Sequence, residues 1–306
     1  MPQLTVGITY HNEGELLTRC LKSFWASEMK PSEILIYDDA SSLRPEGFIP
    51  PEIPVRVIRS EVNQGPGKGR NQILKEAQGE WIHFHDADDQ VTPDWCEKVS
   101  REMSNCDVVL TEIKSYQEGR VLSPTVIGLR DFKTEDEFLR FSISHFVLPA
   151  AGTFKIDLAR QIGGYRESLW QSEDWDFYVR LAATKPRFKV ILESLVNIEV
   201  RRESRSQKRT ETLTCVLQAI LFLKNELSAE YQGALAEKAA WVGSELFRLN
   251  EKESAREAFS LAEALGPARH LHQRPSYRWL AKHYGQELAE WAALFYRKLI
   301  GSSVSK

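Results

Sequence analysis

The amino-acid sequence predicts an α/β fold with a mainly parallel central sheet, followed by a helical C-terminal extension. Three observations carry this: strand-length apolar runs alternate with helix-period segments from Leu4 to Ile113, polar clusters follow those runs directly, and from about Thr210 the period is almost wholly helical.

Leu4–Thr9 reads as a buried strand, after which Leu16, Leu17, Cys20, Leu21 and Phe24 recur at helical spacing. Ile34–Tyr37 is a second strand, closed by the polar turn Asp38-Asp39-Ala40-Ser41-Ser42. A connector through Pro50, Pro51 and Pro54 leads to Val55–Ile58, then to a glycine-punctuated turn and a helix carrying Ile73, Leu74 and Ala77. Trp81–His85 is a fourth strand ending in Asp86-Ala87-Asp88-Asp89, and Pro93 opens a helix before the strand Val108–Ile113. Past Lys114 the elements shorten, with Gly152–Phe154 extended and Glu173–Ala183 helical. Within the helical remainder, Trp241–Pro267 resembles one tetratricopeptide-like helix pair about an Asn250-Glu251 turn. The tail Pro275–Ile300 is amphipathic and aromatic; it reads first as core packing or partner docking, and second as membrane-surface attachment.

Composition removes several classes of function. With 40 Lys+Arg against 43 Asp+Glu, the 306-residue chain has a net charge of −3, without the basic excess that nucleic acid demands. No apolar run approaches the ~20 residues of a membrane span, and Met1-Pro2-Gln3 runs straight into a strand without a leader pattern, so a cytoplasmic setting is expected. Cys20, Cys96, Cys106 and Cys215 lack metal-ligand spacing and read as reduced thiols. His83 and His85 share one sheet face with no third ligand, which predicts packed, hydrogen-bonded histidines rather than zinc.

Right-handed crossovers gather the loops after parallel strands along one sheet edge, where ligands bind. That edge collects Thr9 to Asn12, Asp38 to Ser42, Asn63 to Asn71 and Asp86 to Asp89. Asp86 and Asp88, two apart at a strand end, offer carboxylates to one hard divalent cation, Mg²⁺ or Mn²⁺, whose other ligands are water and diphosphate oxygens. The three glycines of Gly65 to Gly69 permit close backbone approach beside Lys68 and Arg70, although the spacing matches neither a Walker loop nor a dinucleotide fingerprint. Asp38 and Asp39 suit a base N–H or a ribose hydroxyl, or equally a turn into Ser41. Farther on, Ser172-Glu173-Asp174-Trp175-Asp176 opens a helix with Ser172 as N-cap; Asp174 is either a favourable charge at the helix start or a general base for a hydroxyl nucleophile.

The ordered set Thr9-Tyr10-His11-Asn12-Glu13, Asp38-Asp39-Ala40-Ser41, Asn63-x-Gly65 to Gly69-Arg70-Asn71, Asp86-Ala87-Asp88-Asp89, Gly163-Gly164-Tyr165 and Glu173-Asp174-Trp175 resembles the family 2 inverting glycosyltransferases of GT-A fold. The resemblance covers residues 1–210, with a nucleotide-binding half at about 1–113 and an acceptor half at 114–210, and leaves the helical region 211–306 unexplained. It implies Thr9 and Asp39 near the base with Asp38 alongside, Arg70 near the diphosphate, Asp88 on the metal, and Asp86 by the ribose and metal-bound phosphate. It further implies Asp174 as the base that activates the acceptor hydroxyl, with Glu173 beside it on the acceptor side. His11 stands where the family commonly has tyrosine, so base stacking is altered or shifted to Tyr10. Arg202, in the basic run Arg201 to Arg209, matches a loop arginine that closes over the diphosphate; the run also reads as a solvated loop or as one meeting an acidic membrane or acceptor. The implied reaction moves one sugar from a nucleotide-diphosphate sugar, UDP-linked, to a hydroxyl of a glycan or lipid-linked acceptor. The competing readings are a nucleotidyltransferase-like enzyme and a non-catalytic nucleotide-sensing module.

Overall fold

The computed structural model describes residues 3–117, 119–123, 127–200, 208–267 and 273–301. The chain divides into two compact units, 1–204 and 205–306.

In the first unit, β1 (Leu4–Tyr10), α1 (Glu15–Trp25), β2 (Glu33–Asp39), β3 (Arg56–Ser60), α2 (Pro66–Glu76) and β4 (Trp81–Asp86) build the parallel part of a nine-stranded sheet. β5 (Gln90–Val91), α3 (Trp95–Glu102), β6 (Val108–Gln117), β7 (Arg120–Ser123), α4 (Glu135–Ser144), β8 (Gly152–Lys155), α5 (Ile156–Gln161), α6 (Glu173–Ala183) and β9 (Phe188–Glu199) follow. The strand order is β3-β2-β1-β4-β8-β6-β9-β5, with β7 beside β6. β3, β2, β1 and β4 run parallel; β8 is antiparallel to β4 and β6, β6 and β9 are parallel, β5 pairs antiparallel with β9, and β7 pairs antiparallel with β6. The Pro-rich connector before β3 holds a single 3₁₀ turn at Pro45–Phe48 rather than a crossover helix.

Alternation along β4 distributes its side chains between two layers. His83 and His85 face Phe24 of α1 and Trp95 of α3, while Phe84 meets Tyr165, which stacks on Phe177 of α6 at 4.2 Å. The histidines are buried and joined Nε2 to Nδ1 at 3.1 Å, and the first also reaches the Gly152 carbonyl and Thr153 hydroxyl. Burial pushes His83 well below the usual imidazole range and His85 down to about 4, so both stay neutral. Cys20, Cys96 and Cys106 are buried free thiols.

The second unit comprises α7 (Arg209–Glu226), α8 (Gln232–Arg248), α9 (Lys252–Leu265), α10 (Pro275–Tyr284) and α11 (Gln286–Gly301). Asn250, left-handed at φ 67°, turns α8 into α9, and Gly243 allows the Phe259 ring to lie directly on the α8 backbone. Arg209 and Arg248 both bind Glu245. No helix among the described residues is long and apolar enough to cross a membrane.

Candidate active site

Register alone aligns the polar ends of the parallel strands: Thr9 lies opposite Asp86 across β1 and β4, and Tyr10 opposite Asp38 across β1 and β2. The Thr9 hydroxyl donates to Asp86 Oδ1 at 3.0 Å. Beyond the strands the chain turns through left-handed, non-glycine residues at Asn12 (φ 68°) and Ala40 (φ 59°), and a third, Ser172 (φ 60°), precedes α6. Such conformations cost ~1–3 kcal/mol each and gather where surrounding structure fixes a loop.

Asp38 and Asp39 serve that fixation. Asp38 is fully buried, accepts the Ser41 N–H at 3.0 Å and is salt-bridged to Arg59. Asp39 accepts the Gln64 and Gly65 N–H groups, one on each oxygen, at 2.7 and 2.8 Å, so it seats the loop that enters α2. Gly65 there has φ 83°, and a Cβ on it would meet the Trp170 ring at 3.0 Å. Position and conformation both require glycine.

Arg70 sits deeper than the sequence suggests. Only 3% exposed, it donates from one guanidinium nitrogen to Glu173 at 2.7 Å and from another to Asp86 Oδ1 at 3.0 Å, with its plane 5.3 Å from the Tyr165 ring. Burial opposes the cation, but Asp86, Tyr165 and Glu173 outweigh it and hold the guanidinium firmly protonated. Arg70 is thus a buried strut between the β4 end and the α6 start. Its neighbour Asn71 clamps Tyr165 through both backbone groups, at 2.8 and 2.9 Å, while Lys68 pairs with Glu167 at 2.7 Å.

Burial raises the Asp86 carboxyl, yet the Arg70 charge and the bonds from Thr9 and Arg70 more than reverse this and keep it below the ordinary carboxylate value. Those bonds all fall on Oδ1, and the side chain is 41% exposed. Asp88 is also half-buried, whereas Asp89 is turned in and accepts the Glu199 N–H at 3.2 Å. The described residues contain no group of three His, Cys, Asp or Glu able to hold an ion. Asp86, whose Oδ2 takes none of those bonds, and the half-buried Asp88 are the two carboxylates here that could contribute oxygens to a hard divalent cation completed by water and phosphate oxygens.

Asp174 is the outlier among the carboxylates. It retains a partly open face but is densely surrounded by protein, and this burial, together with the Glu173 charge, pushes its carboxyl up to about 7. Its Oδ1 accepts the Trp175 N–H at 2.8 Å. α6 is held behind it by Asp176, fully buried, which binds Arg166 at 2.8 Å and Arg180 at 2.6 Å.

Thr9, Arg70, Asp86 and Glu173 thus form one hydrogen-bonded chain, with Asp174 next to its end and Asp88 two residues beyond Asp86. Asp38 and Asp39 lie on the neighbouring strand, bound to loops, and Arg202 lies outside the described residues. Two expectations need correction. Tyr10 is buried, donating to the Leu43 carbonyl at 2.7 Å and accepting from Gly14 at 3.2 Å, so base stacking does not shift to it; the exposed ring is His11, with Nδ1 2.8 Å from the Asp39 carbonyl. Ser172 occupies the N-cap position without a side-chain cap: its backbone is left-handed rather than in the extended conformation of a capping residue, and the Trp175 N–H that a cap would satisfy is taken by Asp174 Oδ1. Sequence reasoning assigned no role to Trp170, Asn71 or Asp176; the Asp176–Arg180 spacing of four was the available signal for the last.

The family model described as Glycosyl transferase family 2 matches residues 5–163, more than half of the chain. The chain belongs to glycosyl transferase family 2. This family 2 member is therefore a glycosyltransferase, and the nucleotidyltransferase and non-catalytic readings give way. It is 31% identical over 184 residues to the uncharacterised glycosyltransferase YwdF of Bacillus subtilis, covering 59% of this chain and 68% of that one. It is 28% identical over 183 residues to an uncharacterised glycosyltransferase of Haemophilus influenzae, covering 58% of this chain and 61% of that relative. Its fold is similar to that of S. aureus TarS 1-349 in complex with UDP-GlcNAc, with a TM-score of 0.72 at 19% identity over 97% of this chain and 92% of that one. The mannosyltransferase PcManGT of Pyrobaculum calidifontis, in complex with GDP-Man and Mn²⁺, gives 0.59 at 16% identity, over 97% of this chain and 87% of that one. The glycosyltransferase therefore has the GT-A fold.

Proposed function

We propose that this enzyme transfers a single sugar, with inversion, from a UDP-linked donor to a hydroxyl of a glycan or lipid-linked acceptor, with Asp174 as general base. The observation that carries the reading is the Asp174 carboxyl near 7, placed beside the hydrogen-bonded chain Glu173–Arg70–Asp86. A base with a pKa near the working pH is both substantially ionised and basic enough to take a hydroxyl proton as attack proceeds. In one displacement the acceptor oxygen bonds to the anomeric carbon, the bond from that carbon to the donor phosphate breaks, and the acceptor proton moves to Asp174. Attack opposite the leaving nucleotide inverts the centre without a covalent intermediate.

Arg70 holds the donor edge and the base in register, and Thr9 orients Asp86. Asp86 and Asp88 would hold Mg²⁺ or Mn²⁺, which when bound supplies charge neutralisation to the departing diphosphate. TarS in complex with UDP-GlcNAc supports testing a UDP-linked donor first, and the Mn²⁺ complex of PcManGT supports a divalent ion. Asp38, Asp39 and His11 would border the base and ribose, and Arg202 would close over the diphosphate. The reading gives catalysis to the first unit and a recruiting role to the helical unit, in a cytoplasmic setting that suits the buried free thiols.

The test is a donor and acceptor panel assayed for nucleoside diphosphate. Expected are transfer with release of UDP, and a loss of about 10³-fold in Asp174→Asn, the scale of a general base. Pyrophosphate release, or near-normal turnover by Asp174→Asn, would overturn the assignment.

A further inference from the structure

The α10–α11 hairpin has its amphipathicity turned outward. The inward side of α11 carries Gln286, Ala289 and Glu290, all buried, and Glu290 accepts the Tyr277 hydroxyl of α10 at 2.8 Å. Glu287 is engaged bidentately by Arg256 of α9, at 2.9 and 3.0 Å. The opposite side presents Leu288, Trp291 and Phe295 at intervals of three and four, the Trp291 ring also meeting Phe247 of α8 at 5.6 Å and Lys252 at 5.1 Å, joined by Trp279 and Tyr284 of α10, whose rings lie 5.7 Å apart. These five side chains are 48–66% exposed. A solvated helix arranges its residues the other way.

Charge selects the occupant. Among the described residues of this hairpin, the exposed lysine and arginine side chains are Arg278, Lys282 and Arg297, the last 3.9 Å from Glu290, while of the two α11 carboxylates Glu290 is buried and Glu287, at 38% exposure, is paired with Arg256. A second copy of the same face would set cations against cations, which disfavours self-association. Tryptophan and tyrosine with a wet polar tip, interleaved with lysine and arginine, match the headgroup layer of an anionic bilayer.

We propose that the α10–α11 face attaches the enzyme peripherally to an anionic membrane surface, with Trp279, Leu288 and Phe295 entering the headgroup boundary and Arg278 and Lys282 meeting lipid phosphates. The proposal is independent of the donor-site reading, because its test uses no donor.

The full chain is sedimented with vesicles of phosphatidylcholine alone, and of phosphatidylcholine with about one-third phosphatidylglycerol, at low and high salt. Expected is binding to the anionic vesicles that weakens with salt and is much lower on the neutral ones. Arg278→Gln with Lys282→Gln should lower anionic-vesicle affinity about 25-fold, at roughly fivefold per cation. Trp279→Ser with Phe295→Ser should lower it at least about tenfold, with an unchanged circular-dichroism spectrum. Equal binding to both vesicles, or binding to neither, overturns the proposal. So does a concentration-dependent dimer abolished by Trp279→Ser with Phe295→Ser, which assigns the face to a second copy.

Discussion

Asp174→Asn should slow transfer about 10³-fold yet stabilise the fold. The carboxyl lies near 7 instead of 3.8, raised by burial and then by the Glu173 charge. Because its folded value is raised, the native state keeps the proton between about pH 4 and 7 while the unfolded chain has lost it. Native stability therefore falls as pH rises through that window, and levels off above it. A carboxyl moved from 3.8 to about 7 corresponds to about 4 kcal/mol at ~1.36 kcal/mol per unit. Asp174 is partly open to water and coupled to Glu173, and the substituted amide must still find hydrogen bonds, so the recoverable share is ~1–2 kcal/mol. At ~2–4 °C per kcal/mol this raises the melting temperature by roughly 3–6 °C at pH 8 and by less than half of that at pH 5. Dye-based thermal unfolding of both proteins at the two pH values, with transfer measured alongside, checks this. An Asp174→Asn protein that melts at or below the parent at pH 8, or whose advantage is the same at pH 5, would refute the reasoning.

Glu173→Gln removes a like charge beside Asp174 and frees Arg70 to act on it; both effects lower the carboxyl, so the rising limb of the kcat/KM–pH profile should move acid by about one unit. Arg70→Met leaves Asp86 and Glu173 facing each other without their cation, and denaturant titration should show a loss of ~3–5 kcal/mol. Gly65→Ala forces a side chain into a left-handed backbone against Trp170 and should cost ~1–2 kcal/mol by the same titration. UDP with Mn²⁺ should raise the melting temperature more than UDP alone, and Asp88→Asn should erase the increment while leaving the apo melting temperature close to the parent value.

The front of the sheet is legible because buried parallel strands read as short apolar runs, as in Leu4–Tyr10 and Trp81–Asp86. β9 escapes this pattern: its twelve residues are mostly half-buried or exposed, and its ladder with β6 shifts register at Thr111/Glu112 and Glu112/Ile113, which breaks the alternation. β5, with two residues, is too short to leave a period. The carboxylates of the candidate site stand out in sequence because each follows a strand or opens a helix. What each one touches does not: the Arg70–Glu173 bond joins residues 103 positions apart, and only tertiary packing decides that the guanidinium points inward. Tyr10 shows the same limit, since nothing local distinguishes a stacking ring from one committed to Leu43 and Gly14.

The Arg70 strut also bears on biosynthesis. A ribosome delivers Thr9, Asp39, Arg70 and Asp86 well before Glu173 and Asp174, so on the proposed assignment a half-made chain has its donor-side residues before its base. Domains form as they emerge, and the guanidinium waits with one carboxylate until α6 docks and supplies the other. With Asp174 as the proposed base, a chain terminated before the last turn of α6 would lack both the second carboxylate of the strut and the group that takes the acceptor proton.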